Sequence, residues 1–165
     1  MSFNKEILDA CCGGRHFWFD KEDEDALFID KRIEPKGSIK LQPNWSVNPD
    51  LQGDYTDLKF DDESFSLIVF DPPHKVRPDR GIITKKYGSL GDNWKEDISK
   101  AFPELWRVLK VNGTLVFKWC DLDISIREIT DLFDVKPRFG TVTKKGVNNT
   151  YFLVYFKSKM EESKK

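Results

Sequence analysis

Apolar residues fall into short runs separated by charged and turn-forming stretches. Five runs, at residues 6–10, 26–29, 66–70, 114–119 and 151–156, are rich in β-branched and aromatic residues and bounded by Gly, Asp, Asn or Pro. Their near-continuous apolar character predicts strands covered on both faces. Weaker strand patterns cover 51–55 and 135–142. The period changes over 93–109, where Ile98, Phe102, Leu105, Trp106 and Leu109 recur at helical spacing. Pro103 is expected to kink or restart that helix, and Asn112-Gly113 to stop it. A shorter helix is expected over 124–132, with Ile126, Ile129, Leu132 and Phe133 on one face and Ser125 without a role.

This alternation predicts an α/β domain with an open, mostly parallel sheet and a ligand site at the carboxyl ends of its strands. The last two strands flank a Lys144-Lys145-Gly146 turn and read as an antiparallel hairpin. The helices after the first two strands look reduced. Residues 16–25 offer barely two turns, and 31–50 carry Pro35, Gly37, Pro43 and Pro49, which suits a loop or a small hairpin.

A length of 165 residues suits one domain, expected over 1–157, with a frayed charged end at 157–165. Lys+Arg 27 against Asp+Glu 28 excludes a generally basic nucleic-acid binder but leaves room for a local basic patch. No apolar run reaches the roughly 18 residues of a membrane span, and the first residues lack the design of a signal peptide. Cys11, Cys12 and Cys120 are odd in number and lack zinc-type spacing. Reduced thiols, a cytoplasmic setting and no metal site are therefore expected.

The candidate chemistry sits where the strands end. The first strand runs into Asp9, Cys11, Cys12, Gly13, Gly14 and Arg15. Small residues there let a ligand approach the backbone, and an acid in place of GxGxxG suits a positive group better than a diphosphate. The same residues also make an ordinary tight turn. Asp30 ends the second strand, where a carboxylate can accept from a ribose diol or simply begin a turn. Asp54 and Tyr55 follow the third, where an adenine amine and a stacking ring compete with an Asx turn. The sharpest pattern is Asp71-Pro72-Pro73-His74 after the buried run 66–70. Its prolines stiffen the loop and leave carbonyls free. A carboxylate and a rigid carbonyl together accept both hydrogens of an amine, and a planar ring can stack on its carrier. Beyond it, Lys75, Arg77, Arg80, Lys85 and Lys86 with Tyr87 surround the single acid Asp79. Such a loop can track phosphates and stack a base, with Lys118 and Lys144-Lys145 adding to it, or it can be a solvated charge run. The acidic stretch 20–25 would repel a phosphate backbone.

Taken in order, LDACCGGR, the acid of the second strand, GDY and DPPH resemble the class I S-adenosylmethionine-dependent methyltransferases. Within them the chain is similar to the amino-methyltransferases that carry an (Asp/Asn/Ser)-Pro-Pro-aromatic signature and modify adenine N6 or cytosine N4. The resemblance spans roughly residues 5–156 and implies a Rossmann-like sheet of seven strands. It implies that Asp9, Cys11 and Gly13 line the methionine end of S-adenosylmethionine, that Asp30 holds its ribose, and that Asp54 and Tyr55 hold its adenine. Asp71 and the Pro72 carbonyl, stiffened by Pro73, would bind the target amine next to the cofactor, with His74 stacked on the target ring. The implied partner is a nucleic acid, DNA above all, on the basic loop, with a homodimer or recognition partner supplying further specificity. His74 stands where Tyr, Phe or Trp is usual, and Arg15 where a spaced glycine often stands. These departures keep two alternatives open: the same chemistry on a protein glutamine or small amine, and a non-catalytic S-adenosylmethionine-binding module.

Overall fold

The computed structural model describes residues 4–145 and 148–159. Gly146 of the expected hairpin turn and residues 160–165 of the expected tail lie outside them. Along the chain run β1 (Ile7–Asp9), β2 (Ala26–Asp30), β3 (Leu51–Gln52), β4 (Phe65–Phe70), α1 (Ile82–Tyr87), α2 (Trp94–Val108), β5 (Leu109–Cys120), α3 (Ile126–Thr130), β6 (Phe139–Lys145) and β7 (Asn148–Phe156). The strands form one seven-stranded sheet in the order β3-β2-β1-β4-β5-β7-β6. β3 through β5 pair in parallel, and β7 and β6 are antiparallel. β2 reads as a continuous apolar run because all five of its residues are buried, whereas β5 alternates buried and half-buried positions over 114–119.

Helix α2 covers one face with Ile98, Phe102, Leu105 and Val108. Phe102 stacks on Phe133 at 4.2 Å and meets Tyr155 edge-on at 5.4 Å. Each such buried side chain contributes about 1.5–3 kcal/mol. Pro103 does not break the helix. It lies on the exposed face, where water can reach the carbonyl left without its amide partner. Asn112-Gly113 does not end the helix either. The chain passes from Val108 straight into β5, and Asn112 takes a φ of 66° at an irregularity in the β4–β5 register. Asn tolerates that left-handed backbone, so the turn signal serves a kink within the strand. The expected strand at 135–142 begins only at Phe139, because Pro137 has no N–H to pair.

Ser125 has a definite role. Its side chain accepts from the Glu128 N–H while Glu128 reaches back to the Ser125 N–H, a capping box that starts α3. Ser125→Ala is expected to lower stability by about 1 kcal/mol, read as a lower midpoint in urea.

No described helix lies between β1 and β2 or between β2 and β3. Arg15 replaces their packing. Its guanidinium lies 3.9 Å above the Phe28 ring and donates to the Asn48 carbonyl at 3.0 Å, to Asp50 at 2.8 Å and to the Lys21 carbonyl. The excursion between β2 and β3 is held by an antiparallel bridge, Glu34 to Val47, over a small core of Ile39, Trp45 and Val47. Lys157 is not part of a frayed end. It is buried, and its ammonium donates to the carbonyls of Trp106 and Leu109 at 3.0 and 2.8 Å. Among the described residues no helix is long and apolar enough to cross a membrane.

Candidate active site

A cavity of about 410 Å³ opens at the carboxyl ends of β1, β4 and β5, within the size range of small-molecule sites. Asp9, Cys11 and Gly13 line it from the first loop, Asp71, Pro72, His74 and Lys75 from the second, and Tyr87 from α1. The sheet therefore brings the two sharpest sequence motifs onto one cavity, because β1 and β4 are parallel neighbours.

Asp71 is fixed from both sides. Lys118 Nζ donates to Oδ2 at 2.7 Å, and His74 Nε2 lies 3.1 Å from Oδ1. Burial alone would raise this carboxyl, but the His74 hydrogen bond and the Lys118 charge outweigh it and hold the pKa below its ordinary value. His74 departs from its expected role. Its ring packs edge-on against Trp119 at 5.0 Å and 80°, and its buried Nδ1 has no hydrogen-bond partner. It braces Asp71 and is not a free stacking platform. Two exposed rings line the cavity, Tyr87, 45% accessible, and His16, with their centroids 6.1 Å apart.

Asp9 is 2% accessible and accepts from Trp18 Nε1 at 2.7 Å and from the Cys11 N–H at 3.2 Å. Burial pushes its carboxyl up from 3.8 to about 7, against the pull of those two bonds. A group raised on folding destabilises the folded state as pH climbs from about 4 through 7. Asp9→Asn keeps one of the two donor bonds and escapes that cost. The variant is expected to exceed the parent by about 2 kcal/mol near pH 8 and to lose the advantage below about pH 4, measured by urea denaturation at both.

Of the other expected residues, Cys11, Lys75 and Lys118 also line the cavity, whereas Asp30, Asp54, Tyr55, Arg77, Arg80, Lys85 and Lys86 do not. Asp30 is buried, with Oδ1 accepting from the Arg32 N–H at 2.9 Å and Nε at 3.2 Å, and Oδ2 from the Gly13 N–H at 2.9 Å and Arg32 Nη2 at 3.4 Å. Gly13 reaches it at a φ of 49°, which favours glycine. Asp54 is exposed and closes an Asx turn onto Thr56. Tyr55 is a core residue, edge-on to Phe70 at 5.2 Å, and offers no stacking face. Cys11 lines the cavity, but burial pushes its thiol up and leaves it a packing residue. Of the basic loop, Lys75 is paired with Asp79, and Arg77 lies 4.0 Å from Asp92. Arg80, Lys85 and Lys86 form no ion pair with a described residue. Lys118, expected to track phosphates, instead binds Asp71. Arg32 carries only a faint sequence signal, a long side chain two positions after the strand-end acid Asp30. The stretch 16–19 reads in sequence as core or cofactor-lid packing, and its Trp18, nine positions from Asp9, packs edge-on to Phe28 while donating to Asp9.

Three solved structures share this architecture. A SAM-dependent methyltransferase from Methanosarcina mazei superposes with a TM-score of 0.59 at 15% identity, over 96% of this chain and 94% of its own. The fold is that of the S-adenosylmethionine-dependent methyltransferases. A geranyl diphosphate methyltransferase in complex with S-adenosylmethionine gives 0.54 at 10% identity, over 95% and 79%. The cyclase SpnF gives 0.57 at 10%, over 96% and 76%, so one architecture carries more than one chemistry. No family model matches the chain, and no curated protein sequence matches it.

The cavity suits that cofactor on a specific condition. Each Asp30 oxygen holds one backbone N–H and one guanidinium N–H. If Arg32 swings away, the backbone bonds stay and two acceptor positions open, the number a ribose diol needs. Asp9, poised near 7, would lose its proton beside an ammonium group.

Proposed function

We propose that the chain is an S-adenosylmethionine-dependent N-methyltransferase acting on the exocyclic amine of a nucleic-acid base, adenine N6 of DNA foremost. The observation that carries this is the shared cavity: Asp71 and Pro72 at the tip of β4 face the same space as Asp9 and Gly13 at the tip of β1. Bound S-adenosylmethionine supplies a methyl group on a sulfonium, so the protein's task is orientation and exclusion of water. Asp71 keeps two carboxylate lone-pair positions beyond those used by His74 and Lys118. With the Pro72 carbonyl, these accept the amine hydrogens and aim the nitrogen lone pair. Tyr87 supplies the stacking face first expected of His74. A base within a duplex must be flipped to reach this depth.

Within the loop after Pro73, Arg80, Lys85 and Lys86 are the charges with no ion pair to a described residue, and they are the ones available to meet phosphates. Three neutralised phosphates give a slope near −2 for log affinity against log salt on single strands. That modest footing assigns sequence recognition to a second subunit or another protein. The test is labelled-methyl transfer to unmethylated DNA, RNA and protein, followed by nucleoside and amino-acid analysis. Label on N6-methyladenine supports the reading. Label on glutamine supports the second reading, which the pairing of Lys75 with Asp79 favours by reducing the free charge of the loop.

A further inference from the structure

We propose that Lys118 makes this site selective for a neutral, conjugated amine, one whose neighbouring ring nitrogen or carbonyl accepts a hydrogen bond, and that it excludes alkylammonium substrates. The inference rests on the methyltransferase reading and narrows its acceptor.

The carboxylate at the acceptor end of the cavity is already compensated, whereas Asp9, at the other end, has no counter-charge of its own among the described residues and is the group that takes the cofactor's ammonium. Asp71 carries Lys118 at 2.7 Å, and Asp30 holds Arg32. With the ammonium of the cofactor on Asp9, an alkylammonium acceptor would enter without a counter-charge and approach the Lys118 cation. A base amine or a side-chain amide does not suffer this, because conjugation keeps its nitrogen unprotonated at neutral pH.

The geometry also recognises such a group directly. Asp71 Oδ2 and Lys118 Nζ lie side by side, an acceptor beside a donor. That pair is complementary to an NH2 beside a ring nitrogen or a carbonyl oxygen. Lys118 has three N–H donors and spends one on Asp71. The sheet holds the arrangement: β4 and β5 pair Phe70 with Phe117, and the residues that follow are Asp71, the first past the end of β4, and Lys118 of β5. Both side chains are about one-quarter exposed, so the contact is only partly screened by water.

The test uses the full chain with Lys118→Met and Lys118→Arg, each checked for folding by circular dichroism. The probes are cytidine, which has the amine-and-ring-nitrogen edge without the adenosyl group of the cofactor, and benzylamine, a cation of similar width. Binding is followed through the His74 resonances, with S-adenosylhomocysteine present in every sample to fill the Asp9 end of the cavity. Cytidine is expected to bind the parent and to weaken at least tenfold in Lys118→Met. Benzylamine is expected to bind Lys118→Met only, and Lys118→Arg to keep the parent's preference. Should Lys118→Met not fold, Lys118→Gln takes its place with the same expectations. Benzylamine binding the parent as tightly as the variant overturns the proposal. So does cytidine binding that ignores the substitution, or neither probe binding any form. The expected binding pattern without methyl transfer to any pool supports the selectivity and overturns the methyltransferase reading alone.

Discussion

Replacing Asp71 by Asn is expected to slow methyl transfer by about 10²–10⁴-fold while leaving S-adenosylmethionine bound. The carboxylate at the tip of β4 is the group that can accept from the target amine while His74 and Lys118 hold it in place. An amide in its position offers one oxygen and turns an N–H toward one of these three donors. It also leaves the Lys118 ammonium without its counter-charge beside the reacting atoms. Orientation is most of what the protein contributes to this reaction, so a misdirected nitrogen costs far more in turnover than in binding. Calorimetry should give cofactor affinity within a few-fold of the parent, and single-turnover transfer should carry the loss. Full activity in the variant would sink the assignment. The pH dependence has a definite sign. Because the Asp71 pKa is held below its ordinary value, activity depending on the carboxylate is present throughout the neutral range. It falls only in acid, as pH drops through that lowered value.

Much of this site was legible before any coordinates. A buried strand must end somewhere, and residues just past its end face the ligand side of an open parallel sheet. That logic located Asp9, Gly13, Asp71, Pro72 and His74 at the cavity without knowledge of the strand order. It did not reveal how side chains pair across strands. Lys118 is the one charged residue in an otherwise apolar run, and only the β4–β5 register brings it to Asp71. Asp30 was placed correctly at its strand end, but its engagement by Arg32 depends on rotamers that spacing does not encode. Tyr55 failed for a related reason. β3 spans only Leu51–Gln52, so the chain turns three residues early and carries the ring into the core. Asn112 and Pro103 failed because tertiary packing overrode local propensity, as it does whenever a helix face or strand register holds more energy than one turn signal.

Trp119→Ala is expected to lower stability by about 3–5 kcal/mol and to impair transfer in the molecules that remain folded. Trp119 is fully buried at the end of β5, stacked on Phe117 at 6.0 Å. Its indole N–H donates to the Ile124 carbonyl at 2.9 Å, just before the capped start of α3. Truncation removes one of the largest buried side chains and orphans that carbonyl, which adds to the cavity cost. For a domain of this size the melting temperature should fall by roughly 8–15 °C. The functional loss has a separate cause. His74 packs edge-on against the indole, and that contact sets the ring whose Nε2 meets Asp71. Trp119 itself is absent from the cavity wall, so its effect on transfer passes through His74. Trp119→Phe keeps an aromatic wall but not the N–H. It should recover most of the turnover while remaining about 1–3 kcal/mol less stable than the parent. Thermal melts and single-turnover rates, measured at a temperature where all three proteins are folded, separate the two effects. If Trp119→Phe and Trp119→Ala lose turnover equally, the indole acts on transfer through the Ile124 bond and α3 rather than through the orientation of His74.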